Sequence, residues 1–78
     1  MNKEQRMTIG LASDQFKHLV RTHAWCRRFP NQAAEFESHA RVLDGWLDGT
    51  VPWEPRGPEL YEELEAFLET KPWENFTA

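Results

Sequence analysis

Residues 58–70 read PELYEELEAFLET, and this stretch decides the fold class. On a helical wheel, Leu60, Tyr61, Leu64, Phe67 and Leu68 share one arc of about 120°, and Glu59, Glu62, Glu63, Glu65 and Glu69 fill the rest. Pro58 suits a first helical position, and Lys71-Pro72 closes the segment. A helix this amphipathic has to bury its stripe against other helices. No run of period-two alternation competes with it. The reading is therefore all-α.

Working back along the chain, residues 50–57 (TVPWEPRG) carry two prolines and form a loop around Trp53. Before it, a second helix is predicted over 32–47, capped by Asn31 and ended by Gly49 in the left-handed conformation. Gly45, inside that helix, costs about 1 kcal/mol relative to alanine and so marks a close approach. Phe36, Ala40, Leu43, Trp46 and Leu47 share its core face, joined by His39 and Val42, with Glu37, Arg41, Asp44 and Asp48 opposite. A first helix is predicted over 14–28, with Ser13 as cap, Asp14 in the first turn and Arg27 and Arg28 in the last, and with Pro30 stopping it. Phe16, Leu19, Val20, His23 and Ala24 form its core face. Trp25 points away from them, among Lys17, His18, Arg21 and Arg28. Residues 1–12 read as a polar, flexible arm with at most one helical turn. Residues 71–78 read as a short aromatic tail packing back through Trp73 and Phe76. The expected architecture is one small domain over 1–78, a compact bundle of three helices.

Length bounds function as well as fold. A chain of 78 residues has no room for a two-domain enzyme or a doubly wound nucleotide-binding fold. A core of this size rarely supplies more than about 3–5 kcal/mol, so burial of the four tryptophans, dimerisation or a partner has to help. The net charge of −4 is unevenly divided: residues 1–30 carry +4 and residues 31–78 carry −8. The two halves therefore face each other within one molecule, meet in a homodimer, or mark surfaces for different partners. No apolar run approaches the roughly 20 residues of a membrane span, and the N-terminus has no signal-like apolar stretch. One cysteine, Cys26, makes no intramolecular disulfide and reads as an inert small hydrophobe. Cytoplasmic localisation, with no membrane partner, is the expectation.

Several constellations compete for a function. His18, His23 and Cys26 do not converge on one ion from a regular helix, and adding His39 still leaves a ligand short, so no metal or other cofactor is expected. His23 and His39 read instead as partly buried, hydrogen-bonded side chains at the core edge. No nucleophile elbow or phosphate loop is present, and the many glutamates lie on a solvated face, so no enzyme activity is expected. Lys17, Arg21, Arg27 and Arg28 around Trp25 suit phosphates and a stacked base, which makes a small DNA-binding regulator using the first helix and its arm the runner-up. The acidic third helix would be repelled by phosphate, and as a nucleic-acid mimic it supplies a second alternative.

The favoured reading is a protein-interaction module, a regulator or inhibitor occupying a partner's surface. Its expected contact is Lys17, Arg21, Trp25 and Arg28, since Trp and Arg are enriched at hot spots. Glu59, Glu62, Glu63, Glu65 and Glu69 form a second, steering surface. Trp53 is a further contact candidate, although packing at the end of the bundle is the favoured role for it and for Trp73. In size, acidity and lack of recognisable chemistry the chain resembles the small accessory proteins of phages and mobile elements. That resemblance implies binding to a host protein and covers no particular motif.

Overall fold

Asn2 and Gln5 start the first helix with a reciprocal capping box. The Gln5 N–H donates to Asn2 Oδ1 at 2.8 Å and the Asn2 N–H donates to Gln5 Oε1 at 2.9 Å. The computed structural model describes residues 1–74 and contains four helices: α1 (Lys3–Thr22), α2 (Ala24–Arg28), α3 (Pro30–Asp48) and α4 (Gly57–Thr70). The all-α class and the short connections are as expected; the three-helix description holds for the long elements, with α2 as a short fourth.

The N-terminal segment departs most from expectation. Residues 1–12 are not a flexible arm, because the helix begins at Lys3 and buries Ile9 and Ala12. Ile9, Ala12, Phe16 and Leu19 recur at helical spacing and form one inward stripe, which overrides the polar residues between them. Ser13 is consequently not a cap; it is 1% exposed and sits mid-helix. Its hydroxyl donates to Asp44 Oδ1 of α3 at 2.6 Å.

The expected first helix also breaks. His23 takes an extended conformation, ends α1 and caps α2, its Nδ1 accepting from the Trp25 N–H at 3.1 Å. Pro30 opens α3 at a position where a missing N–H costs nothing, so the N-cap residue is Phe29 and not Asn31. Gly49 ends α3 with φ 85°, as predicted. Gly45 meets its expected neighbour: a Cβ there would overlap the Val51 side chain, and the Val51 backbone N–H donates to the Gly45 carbonyl at 3.1 Å. Lys71 closes α4 in the left-handed region at φ 46°, since Pro72 disfavours a further right-handed helical residue.

The core is aromatic at its centre. Phe36 touches Phe16, Phe67 and Trp73 with ring centroids 5.1, 5.6 and 5.8 Å apart. Trp46 meets Trp53 edge to face at 5.1 Å, and Gly57 lies so close under the Trp53 ring that a Cβ would collide with it. Trp53 and Trp73 thus pack at opposite ends of the bundle. The remainder of the expected tail, with Phe76, lies outside the described residues. Contacts between α1 and α3 pair rising with falling numbers (Ser13 with Asp44, Arg6 with Leu47), so these helices are antiparallel. Phe16 meets Phe67 and Tyr61 lies beside Thr8, so α1 and α4 run the same way.

Candidate functional site

The expected basic patch is dispersed by the break at His23. On one unbroken helix Trp25 would share a face with Lys17, Arg21 and Arg28. The extended residue resets the rotation, and Trp25 instead turns inward, half-buried, with its ring 5.5 Å from Phe36 and 5.7 Å from Phe29. The exposed, contact-ready Trp25 of the sequence reading is therefore corrected to a partly packed residue. Lys17 is paired with Asp44, Nζ to Oδ2 at 2.7 Å. Arg28 lies over the Phe29 ring, 5.5 Å from its centroid. Arg21 remains exposed, in a shallow depression shared with Lys17, Val20 and Glu37.

Asp44, read from the sequence as part of the solvated stripe, faces α1. Burial pushes its carboxyl up, but the bonds from Lys17 and Ser13 outweigh this and hold it below the usual carboxylate value. The ion pair is nearly half exposed on both sides and contributes at most about 1 kcal/mol. The Ser13 hydroxyl bonded to Asp44 is buried within the α1–α3 seam. Arg6, from the segment expected to be flexible, donates through Nη2 to the Leu47 carbonyl at 3.0 Å and caps the last turn of α3.

His23 and His39 are both partly buried, as expected. They serve different elements: His23 caps α2, while His39 packs on Phe16 and Phe67 at 5.4 and 6.5 Å. Burial lowers the His39 pKa below the ordinary imidazole value, with Glu35 opposing the shift. Cys26 is buried, and burial raises its thiol pKa. Among the described residues, no three His, Cys, Asp or Glu side chains come together to hold a metal ion, and no helix is long and apolar enough to cross a membrane.

The α1–α4 seam is open. Glu59, Glu62, Glu63, Glu65 and Glu69 are all exposed on α4, as the wheel requires. Leu64 is buried and Tyr61, Phe67 and Leu68 are half-buried, but Leu60, expected in the core stripe, is exposed at the first turn. A groove of about 390 Å³ lies between the helices. Leu11, Ala12, Tyr61 and Leu68 supply its apolar surface, and Glu65, Glu69 and Lys71 its charges. A second depression of about 480 Å³ continues past Tyr61 to Trp53, Pro55 and Pro58, edged by Glu59 and Glu62. The Tyr61 hydroxyl lies beside Thr8 and Glu65; its pKa is raised by burial, with Glu65 adding to the effect. Leu11 is 63% exposed and Met7, one turn earlier, is 61% exposed.

The sequence reading missed Met7 and Leu11 because it treated residues 1–12 as an arm. The available signal was Asn2-x-x-Gln5 followed by apolar residues at helical spacing, which places Leu11 on the flank of the Ile9–Ala12–Phe16 stripe. No protein-family model matches the chain, and no curated protein or solved structure is significantly similar to it.

Proposed function

We propose that this protein is a non-enzymatic protein-interaction module that regulates or inhibits a partner protein by occupying its surface, with the α1–α4 groove as its contact face. The observation that carries this reading is Leu11, 63% exposed at the groove between α1 and α4. A partner covering the exposed part of this side chain would recover about 1–2 kcal/mol of burial. The groove displaces the Arg21–Trp25–Arg28 patch as the favoured contact, because a half-buried indole offers less new area to bury.

Affinity capture from a lysate of the source cells tests this. Three baits are compared: wild type, Leu11→Gln in the groove, and Arg21→Gln/Arg28→Gln. The expected result is one stoichiometric protein retained by wild type and the arginine variant and lost by the groove variant, whose melting temperature stays near wild type. Retention by the groove variant with loss by the arginine variant would overturn the groove assignment. Nuclease-sensitive recovery of nucleic acid, lost with the arginines, would put the DNA-binding reading in its place.

A further inference from the structure

We infer that the occupant of the α1–α4 groove is a basic amphipathic helix of a partner protein, about three to four turns long, laid along the seam; this rests on the groove being the contact face. Length is the first argument. The two depressions share Tyr61 and together follow α4, whose 14 residues span about 21 Å. A partner helix of similar length matches that span.

Charge is the second. The groove is edged by Glu59, Glu62, Glu65 and Glu69, with one cation, Lys71, at its end. On the α1 side its polar lining is neutral: Gln5, Thr8 and Gln15. The glutamates recur at intervals of three and four, so they form a line beside the apolar floor and not an isolated cluster. An occupant with an apolar stripe flanked by Lys or Arg at the same spacing satisfies both features at once.

Other occupants fit worse. Anionic membranes and nucleic acid are repelled by the four carboxylates. A two-fold contact with a second copy would bring one glutamate line against the other, while Lys17 is already held by Asp44. The described residues contain no strand, so an extended segment has no sheet edge to extend.

The test uses the full chain and a fluorescein-labelled synthetic helix of about four turns, with leucines at i, i+3, i+4 and i+7 and lysines flanking them. Two controls carry the same leucines with glutamates for lysines, or the same composition in scrambled order. Fluorescence anisotropy reads binding and circular dichroism reads peptide helicity. The lysine helix should bind, gain helicity, and weaken as salt rises. Both controls should bind at least about tenfold more weakly. Leu11→Gln should cost about tenfold, and Glu62→Lys/Glu65→Lys should reverse the preference between the lysine and glutamate helices. Equal binding of the lysine helix and its scramble, or indifference to both sets of substitutions, would overturn the inference. A captured partner lost with Leu11→Gln but kept by Glu62→Lys/Glu65→Lys would also overturn it while leaving the interaction reading standing.

Discussion

The two seams made by α1 are built differently. Against α3 it is packed and cross-linked, with only shallow depressions at the edge around Lys17 and Glu37: Ile9 and Phe16 are fully buried, Ser13 and Lys17 both bond to Asp44, and Arg6 reaches over to cap Leu47. Against α4 it is open: Leu11 stays in water, and the polar link is Tyr61 beside Thr8. The closed seam is held by apolar burial and by side-chain bonds between residues far apart in sequence. The open one keeps apolar area uncovered beside carboxylates. In a domain of this size, one well-made seam and an aromatic centre carry the fold, which leaves the second seam uncovered.

The sharpest way to break this division is at the point where the seams meet. Phe36→Ala removes a fully buried ring that contacts Phe16, Trp25, Phe67 and Trp73. The expected loss is about 3–5 kcal/mol, comparable with the whole stability of such a domain, so thermal denaturation should show no cooperative transition. A folded Phe36→Ala protein would mean that stability is spread more evenly than the rings suggest.

Ser13→Ala probes the closed seam alone. It removes a 2.6 Å bond and leaves Asp44 held by a half-exposed lysine. The expected loss is about 1 kcal/mol, or a fall of about 4–8 °C in melting temperature. An unchanged value would reduce the Ser13–Asp44 link to a detail of geometry.

Acidification acts next, through His39 and then Asp44. His39 has a lowered folded pKa, so below 6.5 the unfolded chain takes up the proton more readily than the native protein. Stability should fall as pH drops below 6.5 and level off once the folded imidazole also titrates. Asp44 adds a second loss at more acid pH: its folded carboxyl lies below 3.8, so its contribution is present above that value and disappears as pH falls through the folded one. Melting curves of wild type and His39→Gln between neutral pH and about pH 5 should converge if His39 carries the first loss. The smallest effect belongs to the open seam, where the Leu11→Gln protein used for binding should melt within about 0.5 kcal/mol of wild type.

The helical class, the second and third long helices and the acidic face of α4 were legible because they depend on local spacing. Phe36, Ala40, Leu43 and Trp46 alone make α3 amphipathic, and the same holds for the glutamates of α4. The proposed contact face was harder to read. Trp25 lies on the basic side only of an unbroken helix, and nothing local makes the break at His23 obligatory. Leu11 gains meaning only once residues 1–12 are helical, and their polar composition concealed an apolar stripe of modest width.

By itself, then, the sequence determined helix type, the ends set by Gly49 and Lys71-Pro72, the close approach at Gly45 and the placement of negative charge on α4, all properties of residues within a few positions of one another. Tertiary structure decided which way Trp25 turns, that Ser13 bonds 31 residues away instead of capping its own helix, and that α1 closes on α3 while standing open to α4. The physical reason is that burial is non-local: a side chain's environment depends on what the rest of the chain brings against it, and for Trp25 and Leu11 that outweighed their own neighbours in sequence.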